Sequence, residues 1–229
     1  MKISKIFAGM SALAMAATMA VSASAQTLTI DNATVDEWAN AFPKVTTADG
    51  KEADDFIDAR SFQKDTELSM TVHFEWTDAG KEQGYCAVKP GFANGWKAFS
   101  TEYPDGVSGL PLKSTLTETD DGNGGTYYAD ADGNKVDIAI QDNDGFVQIY
   151  NSEVTEFTYT ISADVVNVMI ENASAENGFD GIVFQVGNNG MKITSIDFSQ
   201  EVKLNSVMNA EANDSSTADT SSTGDTSSK

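Results

Sequence analysis

Cysteine, histidine and arginine each occur once in this chain of 229 residues, as Cys86, His73 and Arg60. A single cysteine excludes an intramolecular disulfide, so the fold is held by its apolar core. Set in an apolar strand pattern, Cys86 reads as a packing residue rather than a nucleophile. Any Ser-His-Asp or Cys-His machinery would have to use His73, and no nucleophile elbow lies near it. Zinc would need carboxylates for most of its ligands, which excludes the usual zinc centres. A lone arginine argues against a site built on bidentate capture of phosphate or carboxylate. Positive charge is scarce altogether: 14 Lys and Arg face 35 Asp and Glu, for a formal net charge of −21. That surface repels nucleic acid and anionic lipid, leaving neutral ligands and cations as the better partners. Beyond the first 25 residues no apolar run is long enough to cross a membrane.

The N-terminal stretch has the organisation of an export signal. Lys2 and Lys5 precede an apolar run from Ile6 to Val21, and Ala23-Ser24-Ala25 forms a cleavage site before Gln26. The expectation is a secreted or cell-surface protein whose mature chain starts at residue 26 and carries 12 basic against 35 acidic residues. From about Asn205 the composition changes, and Asp214 to Lys229 is almost wholly Ser, Thr, Asp, Ala and Gly. Residues 205–229 therefore read as a disordered tail, or as a linker to a further module. Residues 26–204 remain as one domain with a sizeable core, without an internal repeat.

Strand patterns dominate that domain. Residues 67–76 alternate cleanly, with Leu68, Met70, Val72, Phe74 and Trp76 on one face and Glu67, Ser69, Thr71, His73 and Glu75 on the other. Further strands are expected at 27–30, 85–90, 96–101, 126–129, 135–141, 145–150, 155–161, 181–187 and 191–198. Asp132-Gly133-Asn134, Asn143-Asp144-Gly145 and Asn188-Asn189-Gly190 punctuate them with residues that tolerate the positive φ of tight hairpins. Ser162 can cap one helix, in which Val165, Val166, Met169 and Ile170 recur at helical spacing. Residues 35–42 form a short second helix or an irregular lead-in. The fold class is therefore all-β: an antiparallel jelly-roll β-sandwich with one or two short helices.

Candidate chemistry is sparse. Asp130-Ala131-Asp132-Gly133-Asn134 and Asp142-Asn143-Asp144-Gly145 have calcium-suited residue types, but strand residues follow at once, so both read as hairpin turns. Structural calcium stays open, and no other cofactor is expected. The aromatics are more informative. Tyr85, Phe92 and Trp96 bracket a Gly- and Asn-containing loop, and Tyr127 and Tyr128 adjoin the acidic hairpin. With Val147 and Ile149 facing the core, Phe146, Gln148 and Tyr150 face the other way. Aromatics with amides and acids between them suit a pyranose, which has an apolar C–H face and a rim of hydroxyls. Stacking that removes about 100 Å² of apolar area contributes roughly 2.5 kcal/mol at ~25 cal/mol/Å².

The order EFTYTIS, then ADVVNVMIENA, then GIVFQVGNNGMKITSIDFS, with GYCAVKPGFANGW earlier, resembles β-sandwich carbohydrate-binding modules of secreted plant-fibre-degrading proteins from anaerobic gut bacteria. The resemblance implies a non-catalytic domain that recognises a plant or cell-wall polysaccharide. On the residues themselves, Tyr85 and Trp96 are the expected stacking groups. Gln148 and Tyr150 are the expected polar contacts, with His73 and Glu75 if they share that sheet face. The alternatives are a surface structural or adhesion domain with a protein partner, and a small glycoside hydrolase.

Overall fold

A computed structural model of the chain describes residues 26–29, 40–41, 44–46, 52–122, 125–173 and 180–218. The stretch expected to be an export signal (residues 1–25), residues 30–39 and the last part of the expected tail lie outside them. Among the described residues seventeen strands occur in chain order. They are β1 (Gln26–Thr29), β2 (Asn40–Ala41), β3 (Lys44–Thr46), β4 (Glu52–Asp54), β5 (Ile57–Asp58) and β6 (Leu68–Trp76). Next come β7 (Cys86–Phe92), β8 (Val107–Ser108), β9 (Thr117–Asp120), β10 (Thr126–Ala129), β11 (Lys135–Val136) and β12 (Ile138–Ile140). The last are β13 (Val147–Ile149), β14 (Glu156–Ile161), β15 (Gly181–Gly187), β16 (Met191–Phe198) and β17 (Lys203–Leu204). The helices are α1 (Asp78–Gln83), α2 (Phe99–Glu102), α3 (Ala163–Ala173) and α4 (Asn205–Ala218).

Two sheets face each other across the core. Sheet I has the order β1-β16-β6-β14-β8, and sheet II the order β12-β13-β7-β15-β5-β17 with β2 paired to β15. Every strand pairing is antiparallel, which is the sandwich that the alternating patterns predict. A small sheet of β11-β10-β9 and the hairpin β3-β4 stand beside it. The inward residues of β6 (Leu68, Met70, Val72, Phe74) are at most 2 % exposed and meet Val88, Ile149 and Phe184 of sheet II in one cluster. Each such side chain contributes roughly 1.5–3 kcal/mol by leaving water. In β16 a bulge between Ile193 and Ser195 resets the alternation, so Ile193 and Ile196 both face inward.

Pro90 sits inside central strand β7, where a missing N–H would ordinarily be costly. The β13 ladder ends at Val88. Beyond it Phe92 N–H, on the same strand edge as Pro90, donates to Lys97 O at 2.9 Å. Pro90 therefore occupies a local edge.

Several expectations are corrected. Residues 96–101 do not form a strand. Gly95 and Trp96 take positive φ (84° and 60°) and turn the chain, only Ala98 bridges Gly91, and α2 follows. The run 135–141 splits at Asp137 into β11 and β12, which belong to different sheets. Among the described residues there are four short α-helices, against the one or two expected. The expected disordered tail begins as helix α4, because its first residues are seized by buried acids. Ser206 N–H donates to Asp55 Oδ2 at 3.2 Å, and Asn205 Nδ2 to Asp58 Oδ2 at 2.8 Å. The expected helix at Ser162 is α3: Val166 N–H donates to Ser162 O at 3.0 Å, while Val165, Val166 and Met169 are buried.

Candidate functional site

The outer face of sheet II is set by what its strands bury. Cys86 and Val88 of β7, Val147 and Ile149 of β13, and Phe184 and Val186 of β15 face the core. Their neighbours Ala87 and Lys89, Phe146, Gln148 and Tyr150, and Gln185 and Gly187 therefore face outward. Pairing aligns them in rows across the sheet. Gln148 lies opposite both Ala139 and Ala87, Ala87 opposite Gly187, and Lys89 opposite Gln185. The middle row is thus a floor of small side chains around Gln148. Phe146 leans over it: a Cβ on Gly187 would lie 3.2 Å from the Phe146 ring and 3.2 Å from Ala87 Cβ. Lys89 Nζ stands 5.3 Å from the centre of the Phe146 ring.

At the other side of that floor the aromatics gather. The Tyr128 and Tyr150 rings lie 5.0 Å apart at 43°. Tyr150 Oη donates to Gln148 Oε1 at 2.7 Å, and Lys113 Nζ donates to the same oxygen at 3.4 Å. Lys113 Nζ lies 4.7 Å from the Tyr128 ring centre and 5.8 Å from that of Tyr150, a cation–π arrangement on both rings. Burial pushes the Tyr150 hydroxyl up, against a smaller opposing effect of Lys113. The hydrogen bond to Tyr128 raises Lys113 in turn. At neutral pH Tyr150 is accordingly a donor phenol and Lys113 a cation. Beside them opens a cleft of about 320 Å³ lined by Gly84, Asp121, Tyr127, Tyr128, Lys135 and Tyr150. Lys135 and Asp137 form an ion pair at 3.3 Å, and Asp121 accepts the Gly125 N–H at 2.9 Å. Next to Gly84, Tyr85 shares a hydrogen bond between its hydroxyl and the Asn188 side-chain amide.

Three of the six expected contact residues, Tyr85, Gln148 and Tyr150, therefore share one face. The other three do not join them. His73 and Glu75 lie on the outer face of sheet I, with the whole core between them and Gln148. Both His73 ring nitrogens are engaged there, Nε2 with Asp197 Oδ2 at 2.9 Å and Nδ1 with Glu156 Oε2 at 3.1 Å. Trp96 lies past the far end of β7 from Tyr85, so the two do not bracket one loop. Trp96 adjoins a different cavity of about 300 Å³, whose walls include Phe92, Asn94, Tyr103 and Asp180. Sequence reading missed Lys113, Tyr103 and Asp180. Lys113 opens a single 3₁₀ turn (Lys113–Thr115) too short to show periodicity, and Asp180 is one acid among 35 acidic residues.

The first acid of each acidic turn is already engaged, Asp130 within its own turn and Asp142 by Ser114. Asp130 accepts N–H groups of Asp132 and Asn134 at 3.0 and 2.8 Å, and Asp142 accepts the Ser114 N–H at 2.9 Å. Among the described residues no group of three or more His, Cys, Asp or Glu could hold a metal ion. Cys86 is buried, and desolvation pushes its thiol up to about 12, which leaves it an inert packing group. No family model matches the chain, and no curated protein matches it.

Proposed function

We propose that this domain binds a neutral plant or cell-wall polysaccharide through the outer face of sheet II, at the cleft beside Tyr128 and Tyr150. The observation that carries the reading is the paired tyrosines fastened by Gln148 and Lys113. Half-buried rings held in place by hydrogen bonds offer a pyranose an apolar surface without losing much side-chain entropy on binding. Around them, Tyr127, Lys135 and Asp121 supply the donors and acceptors that a ring of hydroxyls needs. The resemblance to carbohydrate-binding modules, and an export signal ahead of the domain, point the same way. A protein-docking surface is less well supported. The exposed large hydrophobic side chains among the described residues are Trp96, Tyr103 and Val207 alone, which make no broad apolar patch.

The test is affinity-gel electrophoresis of the full chain against xylan, mixed-linkage glucan, mannan and a cellulose derivative. At least one polymer should retard the protein, and Tyr150→Ala should weaken that retention about tenfold or more while the protein remains folded. Loss of a stacking contact worth roughly 2 kcal/mol corresponds to that factor. Failure of every polymer to retard the wild-type chain would sink the reading.

A further inference from the structure

The cavity at the opposite end of β7 has features that the tyrosine cleft does not need. Among the described residues the exposed aromatic side chains are Trp96 (45 %) and Tyr103 (36 %), and both belong to this end of the sandwich. Trp96 stands between Gly95 and Lys97, which line the cavity, and Tyr103 lines it too. The Tyr103 ring rests 5.8 Å from that of Phe92, which in turn meets Phe99 edge-on at 4.7 Å, so its position is backed by the core.

The loop that presents Trp96 is anchored at both ends. Phe92 N–H donates to Lys97 O at 2.9 Å, and Ala93 N–H donates to Gly181 O at 2.8 Å. A Cβ on Gly91 would come within 2.4 Å of Lys97 O, so only glycine lets the returning chain pack this closely. Within this frame Trp96 takes φ 60°, a left-handed conformation that a bulky residue adopts only when its surroundings force it. The side chain so presented is 45 % exposed.

The polar wall is equally specific. Asp180 is 1 % exposed, lines the cavity, and accepts the N–H groups of Gly181 at 2.8 Å and Asn94 at 3.5 Å. Lys97 and Glu102 pair at 2.9 Å on the rim. Asn94 and Asn172 add amides. Burial pushes the Asp180 carboxyl up to about 6, as befits an acid held by amide groups rather than by a cation. A buried carboxyl, amides and an exposed phenol lining one cavity, with an exposed indole on the loop beside it, match a hydroxyl-rimmed ring with an apolar face.

We infer that residues 93–97, α2 and Asp180 form a second saccharide site that takes a neutral pyranose, with Trp96 and Tyr103 stacking and Asp180, Asn94 and Asn172 bonding its hydroxyls. The inference rests on the glycan reading above only for its ligand class. The seven residues of β7 separate the two sites, by roughly 23 Å at ~3.3 Å per residue. One domain can then hold a polymer at two points, or hold two polymers, and its avidity exceeds either site's affinity.

The experiment uses the full chain, the polymer that retards it most, and that polymer's hexasaccharide as a soluble probe. Trp96→Gly removes the ring and suits the left-handed backbone, and Asp180→Asn keeps the shape of the acid. The wild type should show a blue-shifted tryptophan emission on adding the hexasaccharide. Trp96→Gly should lose that shift, and each variant should lose at least fivefold in polymer retention while the Tyr150 site still binds. Trp96→Gly combined with Tyr150→Ala should abolish retention. Should Trp96→Gly and Asp180→Asn be retarded as strongly as wild type, the second site is overturned and the first stands. Absence of retention for wild type itself overturns both.

Discussion

Asp180 illustrates a cost borne by one side chain. Burial pushes its carboxyl up to about 6, against 3.8 for a free aspartate. The native state therefore holds a proton that the unfolded chain has already released between those values. Stability falls as pH rises from about 4 to 6 and stays at the lower level above it. The difference of about two pH units corresponds to on the order of 3 kcal/mol. Asp180→Asn removes the titration. Thermal melts should show the variant more stable than wild type at pH 7.5, with the two converging near pH 4. An unchanged difference between the two pH values would mean that Asp180 stays charged throughout. Arg60 shows the opposite balance. Its guanidinium donates to Asp58 through Nη2 at 2.6 Å and Nε at 3.0 Å, with the Asp58 side chain fully buried. Burial pushes the Asp58 carboxyl up, but the Arg60 and Asn205 hydrogen bonds outweigh it and hold the group below its usual value. This contribution is present above the ordinary carboxylate range and is lost as pH falls through the folded value.

At the scale of elements, the same pair explains why the chain after residue 204 is not simply a tail. Asp58 closes the 3₁₀ turn Ala59–Ser61 through the Arg60 N–H at 2.8 Å and receives Asn205 at the start of α4. Asp55 receives Ser206 in the next position. Arg60→Ala leaves a buried carboxylate short of its cation and should cost roughly 2–4 kcal/mol, read as a lower urea midpoint. Arg60→Lys should recover only part of that, because an ammonium cannot reproduce the two-pronged contact. A midpoint unchanged in Arg60→Ala would show that the amides alone hold Asp58. Elements differ in how far they could be read in advance. The alternation of β6 and the Ser162-capped repeat of α3 each report a face buried along a single segment, so both were legible. Helix α4 was not, because the partners of Asn205 and Ser206 lie in and beside β5, far back in the chain. Helix α2 was hidden for a related reason: the left-handed turn at Gly95 and Trp96 is imposed by packing against Gly91 and Gly181.

For the molecule as a whole, the formal charge of −21 sets a self-repulsion that no single ion pair offsets. Screening lengths shrink from about 30 Å at 0.01 M salt to roughly 3 Å at 1 M. The melting temperature should therefore rise by several degrees between 10 mM and 0.5 M sodium chloride. A fall would show that surface ion pairs such as Lys97–Glu102 and Lys203–Glu211 matter more than the net charge. What the sequence alone determined is the antiparallel all-β sandwich, because burying one face of a strand leaves a local period of two. Composition likewise excluded an intramolecular disulfide and argued against an arginine-built anion site. Which outward residues meet was decided only by the tertiary structure. Tyr85, Gln148 and Tyr150 came together because β13 pairs with β7. His73 and Glu75 went to the opposite sheet, and Trp96 to the opposite end of β7. A strand's pattern says which side chains leave the core, but the pairing of distant strands says which neighbours they find there.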